Sequence, residues 1–174
     1  MLNKILQFSK SKNYWFALLL FSFGLEVSAL FYQYVLDYLP CVLCIHVRVW
    51  LLGIIVVSIL ALKLYRHQIA LIGLHLFTSL MFVGLFERSY QLLGTERGFV
   101  FGDCNMESGL PAWFALDDWL PSIFKVWEAC GYTPELLFGI TMAEALIVLS
   151  VVLLVISITY TVYNMLYLIK KKTQ

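Results

Sequence analysis

The sequence predicts an all-α membrane protein, a four-transmembrane-helix bundle with one long exported loop, and three observations carry that prediction. Of its 174 residues, 61% are hydrophobic and 13% charged, with a mean hydropathy of +0.85, whereas a soluble domain carries roughly a quarter charged residues. The apolar residues gather into four runs, each near the ~20 residues that cross a bilayer as a helix. The basic residues cluster between alternate runs. Such a composition excludes a soluble cytosolic enzyme, a nucleic-acid binder and a disordered tail.

The first run spans about 14–34, follows Lys4, Lys10 and Lys12, and can satisfy its backbone hydrogen bonds only as a helix. Its charged start and Val27-Ser28-Ala29 imitate a cleavable leader, but the apolar stretch is too long and Glu26 stands where the cleavage region would begin, so it is expected to stay as an anchor. The second run, about 42–62, begins directly after Pro40-Cys41. The third spans about 69–86. The fourth, about 142–169, is rich in Val, Ile, Leu and Thr, and is long enough to tilt or to continue past the lipid. Between the third and fourth lies the one long polar segment, about 94–139, which holds most of the Gly, Pro and acidic residues. No internal repeat or second soluble domain is visible, so residues 1–174 read as a single integral membrane domain.

Lysine and arginine set the direction. Eight of the twelve basic residues (Lys4, Lys10, Lys12, Lys63, Arg66, Lys170, Lys171 and Lys172) fall on one side of a four-span arrangement. By the positive-inside rule that side is cytoplasmic, and both termini lie there. The turn around Asp37 and the loop 94–139 then face the exported side.

All four cysteines fall on that exported side: Cys41 and Cys44 within Pro40-Cys41-Val42-Leu43-Cys44, then Cys104 and Cys130. An even count in an oxidising compartment reads first as disulfides, and the close spacing suggests pairing Cys41 with Cys44 and Cys104 with Cys130. A bridge three residues long removes little chain entropy, so redox chemistry is its better use. Both sulfurs occupy the first turn of a membrane helix, where unpaired N–H groups and the helix dipole favour a thiolate. Arg48 lies four residues beyond Cys44 and seven beyond Cys41, on the same helix face. A cation inside an apolar span is costly and needs a partner, which here is the Cys44 thiolate together with an oxygen of a small acceptor.

Other reactive readings fit less well. A c-type haem site needs histidine directly after the second cysteine, and here Ile45 intervenes before His46. Structural zinc uses two close cysteine pairs, whereas 25 residues separate Cys104 from Cys130, so no metal is expected. Haem held between His46 and His75 stays open as an alternative. Glu26, Glu87 and Arg88 are further polar points in or near the spans, and Gln91 could donate to an acceptor near the outer surface. In the loop, Trp113, Leu116, Leu120, Phe124 and Trp127 recur at helical spacing, which predicts a short amphipathic helix lying on the membrane with its aromatic side down. It would hold Cys130 near the membrane plane, close to Cys41 and Cys44, while Cys104 reaches outward.

Taken together, Glu26 and Gln33 around the first span, Pro40-Cys41-Val42-Leu43-Cys44-Ile45 with Arg48, the later Cys104 and Cys130, and the four-span layout resemble the bacterial disulfide bond formation protein B family. These are inner-membrane thiol:quinone oxidoreductases. The resemblance covers nearly the whole chain. It implies a multi-pass protein of the bacterial inner membrane with its cysteines on the periplasmic side. It implies redox-active bridges Cys41–Cys44 and Cys104–Cys130, a membrane quinone (ubiquinone or menaquinone) as acceptor, and the periplasmic thiol oxidase, disulfide bond formation protein A, as partner. Arg48, and more weakly Gln91 at the end of the third span, are implied quinone contacts. One departure stands out: the family often has an acidic residue directly before the arginine, and here Val47 occupies that place. Arg48 is therefore expected to be less neutralised and its charge more available to Cys44. A vitamin K epoxide reductase-like thiol-quinone enzyme and a membrane scaffold with structural disulfides are the alternative readings.

Overall fold

A computed structural model describes residues 7–100, 106–136 and 139–172. It contains four long helices: α1 (Lys12–Tyr34), α2 (Val42–Leu64), α3 (Gln68–Glu96) and, after three short turns of helix, α6 (Met142–Lys172). All four are long and apolar enough to cross a membrane. The loop contributes a 3-10 turn at Ala112–Phe114, α4 (Leu116–Trp119) and α5 (Pro121–Phe124). Among the described residues, β structure amounts to two isolated bridges, Cys41 with Glu128 and Glu135 with Thr141.

Local chemistry sets the helix boundaries. Ser11 caps α1 by accepting the Tyr14 N–H at 3.3 Å. Beyond Tyr34 the chain turns through Asp37 at φ 56°, a conformation that a short polar side chain tolerates. The start of α6 carries a reciprocal capping box: the Glu144 N–H donates to Thr141 Oγ1 at 3.3 Å and the Thr141 N–H to Glu144 Oε2 at 3.0 Å.

The third helix outruns its apolar segment. Hydropathy alone ends that span near Phe86, yet α3 continues to Glu96 and its 29 residues reach about 43 Å, well past a ~30 Å hydrocarbon core. The polar extension is stabilised on its own surface, where Arg88 donates to Gln91 Oε1 at 2.9 Å and Gln91 donates to Glu87 Oε1 at 3.0 Å.

The helices pack in chain order, α1 on α2, α2 on α3 and α3 on α6. Trp15, Ile54, Phe82 and Leu85 form the centre of the main core. Phe16, Phe23, Phe77, Val148 and Val155 point outward, as expected of a surface meeting lipid. Polar groups join α3 to α6: Ser79 Oγ lies 2.9 Å from both Ser157 Oγ and Thr161 Oγ1, interhelical hydrogen bonds of the kind that hold membrane bundles together. Between α1 and α6 packing is sparser, with Tyr14 meeting Tyr160 edge-on at 5.1 Å far from the cysteines and the seam open toward them.

A second apolar cluster sits at the end of the bundle that carries the cysteines. Leu116, Phe124 and Val126 from the loop pack there against Val42, Ile45, Leu92 and Ala143. The expected single amphipathic helix is thus broken into short pieces. Leu120, forced out of helical geometry (φ −135°, ψ 63°) by the following Pro121, separates α4 from α5. The apolar residues then part company: Leu116 and Phe124 turn inward, while Trp113 is 78% and Trp119 60% exposed.

Close packing between α2 and α3 depends on Gly84, because a Cβ there would press into the Trp50 indole. Gly84→Leu is expected to lower stability by about 1–3 kcal/mol through overpacking. Thermal unfolding of purified protein in detergent checks this, and an unchanged midpoint would contradict it.

Candidate active site

Cys41 and Cys44 meet at the head of α2. Pro40 lacks an N–H and keeps the chain extended before the helix, and Cys41 (φ −84°, ψ 170°) takes the N-cap position. Its sulfur does the work usually done by a Ser or Asp oxygen, accepting the Cys44 N–H at 3.3 Å. The two sulfurs lie 2.7 Å apart. Cys41 is 2% exposed, so attack on it must come from a group already held nearby.

Cys130 is the further sulfur close enough to interact with Cys41. A strand-like pairing places it there: the Trp127 N–H donates to Pro40 O at 3.0 Å, and Glu128 bridges Cys41 in parallel. Three of the four cysteines expected from sequence therefore converge, with Cys41 in the middle. Cys104 lies outside the described residues.

Arg48 sits one turn below Cys44 and is 4% exposed, so it does not snorkel. Its Nη1 donates to Gln33 Oε1 at 2.6 Å and to Ile123 O at 2.8 Å, and its Nη2 to Ala29 O at 3.0 Å. Gln33 is oriented in turn, because its Nε2 donates to Ser122 O at 3.2 Å. The Tyr34 hydroxyl donates to that same carbonyl. The Glu26 carboxylate from α1 lies within electrostatic reach of the guanidinium.

Beside Cys44 and Arg48 is a cavity of about 340 Å³, walled by α1 (Ala29), α2 (Cys44, Arg48), the Cys130 loop (Pro134) and α6 (Leu146, Leu149). The size falls within the ~300–1,000 Å³ of small-molecule sites. Tyr38 and Tyr132, which also line it, stack at 6.3 Å with planes 27° apart. The cavity lies on the open α1–α6 seam. One turn further along the same seam, a second apolar groove is lined by Phe21, Leu153 and Tyr160 among others. An apolar enclosure with a thiol and a cation at its head suits a flat, oxygen-bearing ring with a hydrocarbon tail. Sequence reasoning found the thiol and the cation but missed the tyrosines and the loop carbonyls, which no motif marks.

Gln91 is not among the residues lining this cavity; it stands on α3 between Arg88 and Glu87. The two histidines considered for haem are far apart. His46 is in the second turn of α2 beside the cysteines, with Nε2 donating to Ser108 O at 2.7 Å. His75 is near the start of α3, at the opposite end, with Nε2 donating to Ser9 O at 3.1 Å. Helix rise separates them by about 15 Å along the bundle, too far to share one haem. Among the described residues, no three His, Cys, Asp or Glu side chains converge on a point where a metal ion could sit.

Comparison with known proteins agrees with this geometry. A family model for disulfide bond formation protein DsbB matches residues 11–160. Disulfide bond formation protein B of Shewanella denitrificans is 32% identical over 146 residues, covering 82% of each chain. The protein of that name from Shewanella frigidimarina is 32% identical, covering 82% of this chain and 85% of its own. The Haemophilus influenzae protein is 30% identical, covering 86% and 85%.

The sulfur geometry is directly testable. In a chain carrying Cys44→Ser and Cys104→Ser, mild oxidation is expected to join Cys41 to Cys130, detected as a disulfide-linked peptide by mass spectrometry. Recovery of both as monomeric thiols would show that these sulfurs are not neighbours.

Proposed function

The chain belongs to the disulfide bond formation protein DsbB family, and from that membership we propose how electrons pass through its cysteines. It is a multi-pass inner-membrane thiol:quinone oxidoreductase that reoxidises a dithiol protein of the disulfide bond formation protein A type. The observation that supports the proposed path best is the order of the sulfurs: Cys130 against Cys41, Cys41 against Cys44, and Cys44 with Arg48 on the cavity wall.

The path begins with two bridges, Cys104–Cys130 and Cys41–Cys44, on the periplasmic side. A thiolate of the reduced partner attacks Cys104, forming a mixed disulfide and releasing Cys130 as a thiolate. Cys130 attacks Cys41, and Cys44 leaves as a thiolate at the head of the cavity. The partner's second thiol resolves the mixed disulfide and departs oxidised. The freed Cys104 then attacks Cys130 in the Cys41–Cys130 bond, restoring the loop bridge and leaving Cys41 and Cys44 with two electrons and their protons.

A quinone bound in the cavity supplies the two-electron, two-proton sink that lets the Cys41–Cys44 bridge re-form. The chain's own part is electrostatic and steric. Helix α2 directs its free N–H groups at the Cys41–Cys44 pair, and the fixed charge of Arg48 supports the Cys44 thiolate. Three of the guanidinium's five N–H groups are engaged by protein acceptors. The other two, on Nε and Nη2, are left for a further acceptor such as an oxygen in the cavity. The open α1–α6 seam offers a lipid-soluble acceptor lateral access, and its second groove offers a place for the acceptor's tail.

Cys44→Ser is expected to abolish quinone reduction driven by a reduced disulfide bond formation protein A type partner, followed as loss of quinone absorbance. Full activity in that variant would overturn the proposal. Arg48→Leu is expected to raise the quinone KM about 10–100-fold, the equivalent of one charge-assisted hydrogen bond, while leaving the partner's KM unchanged. Steady-state titration of each substrate separates the two effects.

A further inference from the structure

The segment carrying Cys130 is fixed at two points. Upstream it is paired to the head of α2 through Trp127 and Glu128. Downstream it is seated by Thr133, which is 3% exposed. The Thr133 hydroxyl donates to Glu96 Oε2 at the end of α3, 2.5 Å away, and accepts the Ala143 N–H in the first turn of α6 at 3.4 Å. The next residue continues the seat, with Pro134 O accepting the Met142 N–H at 2.9 Å. One hydroxyl thus ties the Cys130 segment to two membrane helices, and its proton is committed to the carboxylate because a carboxylate can only accept.

Between Glu128 and Thr133 lie only Ala129, Cys130, Gly131 and Tyr132. Gly131 has φ +126°, and no atom lies within 4 Å of where its Cβ would stand. Space does not demand a glycine there; the backbone conformation does.

We propose that Thr133 is a positioning residue for the sulfur relay: seated between Glu96 and Ala143, it holds the Cys130 sulfur at Cys41, with Gly131 as the joint that aims it. The proposal rests on the electron path above and deepens it, since the step it serves is attack of the Cys130 thiolate on Cys41 with Cys44 leaving. The seat also carries Tyr132 and Pro134, two residues of the cavity wall. Displacement of a reacting group by about 1 Å can cost on the order of 100-fold in rate even when the altered residue is remote from the chemistry.

Thr133→Val keeps the shape and removes the hydroxyl, Thr133→Ser restores it, and Gly131→Ala perturbs the joint without touching the seat. Each is compared as full-length protein in detergent with added quinone, under two electron donors. The reduced protein partner must use the Cys130-to-Cys41 step, whereas dithiothreitol in a Cys104→Ser, Cys130→Ser background reduces Cys41–Cys44 by attack on Cys44, the less buried sulfur of the pair. Thr133→Val and Gly131→Ala are expected to slow partner-driven turnover about tenfold or more and to leave the dithiothreitol-driven rate within about twofold, with Thr133→Ser near the parent. A second readout needs no turnover: in the Cys44→Ser, Cys104→Ser chain, Thr133→Val should lower the yield of the Cys41–Cys130 bond. Equal loss under both donors, or an unchanged yield of that bond, would overturn the role given to Thr133. Absence of partner-driven quinone reduction in the parent chain would instead overturn the functional reading.

Discussion

Burial of one guanidinium organises the cysteine end of this molecule. A charge inside an apolar bundle is tolerated only when its hydrogen-bonding groups are met, and leaving it unmet costs far more than a surface ion pair returns. Arg48 therefore requires acceptors, and these come from separate parts of the chain: the Gln33 side chain and Ala29 carbonyl of α1, and the Ile123 carbonyl of α5. The first helix and the loop must both reach the point one turn below Cys44. Once they do, the loop's Leu116, Phe124 and Val126 lie over the head of α2, and the strand-like pairing at Pro40 and Cys41 brings Cys130 to the same place.

That arrangement also explains why the bundle is packed on three sides and open on the fourth. Near the cysteines, α1 commits its polar groups to α2 and the loop, while α6 is held to α3 by the Ser79, Ser157 and Thr161 hydroxyls and by the ion pair of Arg97 with Glu144. Between α1 and α6 the contacts gather at the far end, where Tyr14 meets Tyr160 edge-on at 5.1 Å and Asn164 donates to Ser9 Oγ at 3.0 Å. The seam is left widest beside Cys44 and Arg48, where the cavity stands between α1 and α6.

Much of this was legible in the residues because membrane insertion leaves few options. Spans of about twenty apolar residues had to be helices. The proline before Cys41 marked the helix start, and the fourfold spacing to Arg48 put cation and thiol on one face. Hydropathy marked the apolar part of α3 and not the end of the helix, since Glu87, Arg88 and Gln91 hydrogen-bond one another on its surface as it continues to Glu96. Helical periodicity in the loop suggested one continuous helix, but Pro121 interrupts it and three-dimensional packing divides its apolar residues between the core and the exposed surface.

By itself the sequence determined the class of molecule, its four long apolar helices and the placing of Cys44 and Arg48 on one face of a single helix, because each follows from local composition or from spacing along the chain. Tertiary structure alone decided what Arg48 binds and where the cavity opens. These depend on groups up to 75 residues apart in the chain, as with Arg48 and Ile123, and on backbone carbonyls that every residue possesses. No residue-type pattern can mark such an acceptor; it becomes specific only when folding brings it to a donor with nowhere else to turn.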